Sequence, residues 1–257
     1  MAVSIFDLFK IGIGPSSSHT VGPMKAANQV LARLERLELF DSTERVRVEL
    51  YGSLAHTGRG HGTDKALMLG LQGERPDNVD PDTIEPILES IRAERRILLN
   101  GELPIAFSEI DDLVFKTAEL LPKHSNGMRF RAFNGDGEQI DQRDYYSVGG
   151  GFVVNEDHAE EDRIVKDQTP MPYPFLSGEA LLEQCRTHGM RIGEVMLGNE
   201  CTWRSEEDIR AGLLDIHAAM KACMERGFRE EGQLPGGLGV ERRAPRLYRE
   251  LSTPRFY

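Results

Sequence analysis

Apolar residues at Met24, Ala27, Val30, Leu31, Leu34 and Leu37 recur at spacings of three and four. That period predicts a helix with one buried face, opening after Pro15-Ser16-Ser17-Ser18-His19-Thr20. From Arg45 to Leu50 the period changes to two, with Val46, Val48 and Leu50 alternating with charged residues, so a half-buried strand is expected. It runs into Tyr51-Gly52-Ser53 and a glycine-rich stretch, Gly58 to Asp64, read as a loop, and then a short helix from about Asp64 to Leu71. Asp80-Pro81 opens a further helix with Ile84, Ile87, Leu88, Ile91 and Leu98 on its face. Met128, Phe130 and Ala132 alternate with arginines, Asn134-Gly135-Asp136-Gly137 signals a hairpin, and the return strand covers roughly Gln139 to Val148. Gly149-Gly150-Gly151 interrupts it before Phe152-Val153-Val154, and a mixed domain is expected to close near residues 155 to 165.

The run Thr169-Pro170-Met171-Pro172-Tyr173-Pro174 reads as a stiff connector. Beyond it the pattern is all helical: Ser177 caps Gly178–His188, Ile192–Trp203 forms a second helix, and Ser205-Glu206-Glu207 opens a third. Ile209, Leu213, Ile216, Met220 and Cys223 form a stripe on that third helix that needs a partner. The expected class is α+β: a mixed α/β domain over residues 1–168, a proline-rich linker at 169–176, and an incomplete all-helical region over 177–257.

Composition narrows the function. The 257 residues are 39% hydrophobic and 28% charged, the balance of a soluble globular chain. Thirty-one Lys and Arg against 42 Asp and Glu leave a net charge of −11, which argues against nucleic acid as a partner. No apolar run approaches a bilayer span and no signal-peptide pattern opens the chain, so a cytoplasmic protein is expected. Cys185, Cys201 and Cys223 are too far apart for a disulfide framework or a zinc or cluster motif.

Two segments carry candidate chemistry. Gly12 to Thr20 holds three serines, a histidine and a threonine, more hydroxyls than one helix cap requires; with backbone amides at a helix start they suit a carboxylate or phosphate. A glycine turn before a capped helix is the plainer alternative. His61 between Gly60 and Gly62 is a candidate acid or base, against the plainer reading of an exposed loop histidine. A metal site from His56, His61 and Asp64 has no specific spacing behind it. Gly149-Gly150-Gly151 is either an amide nest or, more simply, a turn or bulge. Neither a nucleophile elbow nor a phosphate-binding P-loop motif occurs.

The run from Ser4 through Gly12-Ile13-Gly14-Pro15-Ser16-Ser17-Ser18-His19-Thr20 to Met24 closely resembles the start of the iron–sulfur L-serine dehydratases (L-serine ammonia-lyases) of the single-chain type. The resemblance continues at Tyr51-Gly52-Ser53-Leu54, Gly60-His61-Gly62-Thr63-Asp64, Asn126 to Phe130, Tyr145 to Phe152, Pro172 to Phe175 and Leu234 to Leu238. It implies an amino-terminal β domain similar to the allosteric substrate-binding domain of phosphoglycerate dehydrogenases, followed by the opening helices of a catalytic α domain. It also implies a [4Fe-4S] cluster whose three cysteine ligands lie outside this chain, so the isolated polypeptide is expected to be inactive. L-serine is the implied substrate, degraded to pyruvate and ammonia, with the missing α domain in cis or trans and a second copy as partners. His61 and His19 are the implied catalytic candidates, and Ser16, Ser17, Ser18 and Thr20 the implied substrate-binding residues. A pyridoxal-phosphate enzyme would perform the same net reaction but lacks its lysine motif here. A non-catalytic module sensing serine or another small carboxylate is the alternative from another class.

Overall fold

The computed structural model describes residues 4–155, 169–234 and 239–252. They fall into two units: a sheet unit of residues 11–155 with Gly239, and a helical unit of 4–10, 169–234 and 240–252. The class is α+β, as expected. The expected closure of the first domain between 155 and 165 falls mostly outside the described residues.

In chain order the elements are α1 (Ile5–Leu8), α2 (Val21–Arg36), β1 (Arg45–Tyr51), α3 (Gly52–His61), α4 (Thr63–Leu71) and α5 (Ile84–Glu94). They continue with β2 (Arg96–Leu99), β3 (Leu103–Ala106), α6 (Glu109–Asp112), β4 (Leu113–Lys116), β5 (Gly127–Phe133), β6 (Gln139–Gly149) and β7 (Phe152–Asn155). The helical unit adds α7 (Gly178–His188), α8 (Ile192–Glu200), α9 (Glu206–Gly227) and α10 (Ala244–Ser252).

The main sheet has the order β4-β1-β5-β6-β7, with β1 and β4 parallel and the other pairs antiparallel. Strands β2 and β3 form a separate hairpin. Val46, Val48 and Leu50 of β1 and Met128, Phe130 and Ala132 of β5 point to one face, and that alternation puts them in the core with Met24, Val30 and Leu34 of α2. Helix α4 joins the same core and lies so close to α2 that a Cβ on Gly70 would stand 2.6 Å from the Met24 carbonyl oxygen. Asn28 on α2 donates to the Gly70 and Glu74 carbonyls and so satisfies the end of α4. On the opposite sheet face Arg129 makes a two-pronged pair with Asp144, at 2.6 and 2.8 Å, while Glu49 accepts from Tyr51 and Arg131.

Several expectations need correction. The stretch read as a loop from Gly58 to Asp64 is the end of α3, a turn at Gly62 (φ 82°) and the start of α4. Leu98 lies on β2 with 42% exposure and not on the face of α5, and Leu37 is an exposed helix end. The second helix of the all-helical region stops at Glu200.

In the helical unit the proline-rich run is fastened down. Asn199 pairs with the backbone of Tyr173 in both directions, at 2.9 and 2.8 Å, and the Tyr173 ring packs edge-on against His188. Buried Glu200 gathers the Ser4 hydroxyl, the Ile5 amide and the Arg204 guanidinium, so residues 4–10 pack with these helices. Of the α9 stripe only Ile209 is buried; Leu213, Met220 and Cys223 are exposed.

Candidate functional site

The carbonyls of Ser16 and Ser17 hold the loop ahead of α2 in a tight coil. Ser16 accepts from the His19 and Thr20 amides and Ser17 from the Gly22 amide. Position 23 is proline and has no amide to offer, and the Gly22 amide is spent on the Ser17 carbonyl, so the side-chain hydroxyls carry much of the donor capacity of this helix start. Thr20 turns its hydroxyl onto the Ser16 carbonyl at 2.7 Å and is buried, which makes it part of the coil's frame.

The imidazole of His19 comes to the centre. Its Nδ1 stands 3.0 Å from Ser18 Oγ and 3.3 Å from Ser16 Oγ, and these two hydroxyls are 3.1 Å apart. Its Nε2 lies 2.9 Å from Thr57 Oγ1, and its carbonyl accepts from buried Thr63 at 2.7 Å. Among the described residues the Ser17 hydroxyl makes no hydrogen bond. Helix α3 delivers Thr57 and, one turn on, His61, whose Nδ1 donates to the Thr57 carbonyl at 2.8 Å. The His19 and His61 rings lie 4.7 Å apart, tilted by 38°. Burial first, and the neighbouring His61 second, hold the His19 pKa below its ordinary 6.5.

The structure therefore brings Ser16, Ser18, His19 and His61 together, with Ser17 on the same coil. Thr57 and Thr63 complete the arrangement and were not singled out from sequence. The signal for Thr57 was its place four residues before His61, visible once the segment is read as helix. His56 sits on an exposed position of α3, and burial raises the Asp64 pKa. Neither joins a metal site: among the described residues no group of three His, Cys, Asp or Glu could hold an ion. The free thiols Cys185, Cys201 and Cys223 lie on α7, at the end of α8 and on α9, so the described residues do not fit an iron–sulfur cluster. The glycine triplet turns β6 into β7, with a register shift between Ser147 and Gly149. Among the described residues no helix is long and apolar enough to cross a membrane.

Comparison with known proteins adds to this geometry. The chain is 52% identical over 253 residues to an L-serine dehydratase of Streptomyces coelicolor, covering 98% of this chain and 56% of that protein. It is 41% identical over 252 residues to an L-serine dehydratase of Haemophilus influenzae, covering 98% and 55%. It is 42% identical over 250 residues to L-serine dehydratase 1 of Escherichia coli, covering 97% and 54%. The chain thus spans about half the length of the curated relatives it matches. The family described as "Serine dehydratase beta chain" matches residues 4–158, which include the whole serine–histidine coil and helix α3, and the chain belongs to that family.

Proposed function

We propose that this chain supplies the substrate-gripping and proton-transferring half of an L-serine ammonia-lyase, which converts L-serine to pyruvate and ammonia. The observation that carries the reading is the paired imidazole cluster. His61 spends its Nδ1 proton on a backbone carbonyl and keeps the Nε2 lone pair for a substrate proton, beside a hydroxyl set suited to a carboxylate. In this reading Ser16 and Ser17 donate to the serine carboxylate, Ser18 spends its proton on His19 Nδ1 and so anchors the coil beside them, and Thr20 shapes that coil. His61 takes the α-proton, the β-hydroxyl leaves with its bonding pair, and the resulting aminoacrylate tautomerises to an imine that water hydrolyses. The [4Fe-4S] cofactor implied by the resemblance draws its ligands from polypeptide outside this chain, which is inactive alone.

The test is a chimaera of this chain with the carboxy-terminal remainder of the Streptomyces coelicolor relative. His61→Ala there lowers kcat by about 10²–10⁴-fold, with iron and sulfide content unchanged. Near-normal turnover removes His61 as the base. The cluster of hydroxyls and imidazoles lies wholly within the sheet unit, which favours a second reading, a serine-binding module without catalysis. Calorimetry with L-serine on the chain and the chimaera, with pyruvate assayed in parallel, separates the two: binding in both with turnover in neither supports the module.

A further inference from the structure

We infer that Thr57 is a positioning residue that sets the proton placement on both imidazoles at once, through its hydroxyl to His19 and its carbonyl to His61. The inference rests on the functional reading above for its catalytic consequence, but not for its geometry.

A threonine hydroxyl has one proton, and Thr57 donates it to the Ser53 carbonyl, 2.8 Å away on the preceding turn. Toward His19 Nε2, at 2.9 Å, the same oxygen can only accept. Neutral His19 therefore carries its proton on Nε2, and Nδ1 presents a lone pair to Ser18 Oγ at 3.0 Å. The Thr57 carbonyl has no proton to give, so the 2.8 Å contact fixes a proton on His61 Nδ1. Neutral His61 is then the opposite tautomer, with its lone pair on Nε2. One residue thus holds two rings 4.7 Å apart in complementary states: one that accepts from a serine, and one open to accept from substrate. The depressed pKa of His19 agrees with a ring kept neutral at this spot.

Long-range ¹H–¹⁵N correlation spectra of the histidine-labelled chain at pH 8 read the tautomers directly, without turnover. The wild type is expected to show His19 as Nε2–H and His61 as Nδ1–H. Thr57→Val removes only the hydroxyl from an exposed position, so His19 shifts to a mixture while His61 keeps its pattern. Thr57→Ser restores the wild-type spectrum. A wild-type His19 protonated on Nδ1, or a Thr57→Val spectrum with His19 unchanged, overturns the inference. If Thr57→Val fails to fold, the wild-type tautomers and Thr57→Ser still decide it: the serine variant must retain both assignments. In the chimaera Thr57→Val lowers kcat by about tenfold or more with KM little changed, and Thr57→Ser recovers it; kcat unaffected by Thr57→Val overturns the catalytic consequence. Tautomers as expected with His61→Ala fully active would instead sink the functional reading and leave the positioning geometry standing.

Discussion

His19 is a buried imidazole whose neutral form the fold prefers, and this has a consequence for stability. Its folded pKa lies below the 6.5 of an exposed histidine, chiefly through burial and then through His61. As pH falls through 6.5 the unfolded chain takes up the proton first, so the unfolded state binds more protons and stability falls with pH. The contribution is fully present above 6.5 and is lost as pH descends through the depressed folded value. Denaturant titrations between pH 8 and 5 should show this loss, and His19→Gln should flatten the slope in that window. An identical slope in the variant would mean that other groups carry the pH dependence. The chemical character of this residue was legible in the run Ser16 to Thr20, because so many hydroxyls beside one histidine exceed what a cap needs. Its proton placement was not, because that depends on Thr57, thirty-eight residues away.

Helices α2 and α4 show what periodicity can and cannot convey. The three-and-four spacing of α2 and the alternation of β1 and β5 were legible because each buries one face against one core. Helix α3 was not, since Gly52, Gly58 and Gly60 lower local helix propensity. Tertiary packing overrides it: buried Gly58 leaves room for Thr63, where a Cβ would come to 3.1 Å. Strands β2, β3 and β4 are four residues each, too short for an alternation to declare itself. The same glycine-to-alanine change should therefore act with opposite signs on two helices. At Gly70 the new methyl would meet the Met24 carbonyl oxygen at 2.6 Å and Ala27 Cβ at 2.8 Å, so α2 and α4 must separate. Overpacking of this kind costs about 1–3 kcal/mol. At Gly60 nothing lies within 4 Å, and only the entropy of the unfolded chain changes. Gly60→Ala is expected to stabilise by about 0.4–1 kcal/mol. Urea midpoints moving in opposite directions at unchanged slope would bear this out; equal shifts would refute the packing argument.

Over the whole molecule the two units differ in how much apolar surface they bury. The sheet unit closes a core of helices and strands in which most large side chains are fully covered. Among the described residues of the helical unit Val195 and Ile209 are the buried Leu, Ile or Val side chains, while Leu213, Leu214, Met220 and Met224 on α9 stand exposed. A large apolar side chain left in water forgoes roughly 1.5–3 kcal/mol of burial. The free energy of opening should therefore be lower along α9 than along α2, because few buried contacts are lost when α9 frays. Amide exchange monitored by mass spectrometry is expected to show α2, α4 and β5 protected longest and α9 exchanging orders of magnitude sooner. In the chimaera, where the remaining half of a relative is present to cover the stripe, α9 should become protected while α2 changes little. Equal protection of α9 and α2 in a monomer of this chain would show that the exposed stripe does not weaken the helical unit. Protection of α9 that rises with protein concentration would show that a second copy covers the stripe instead.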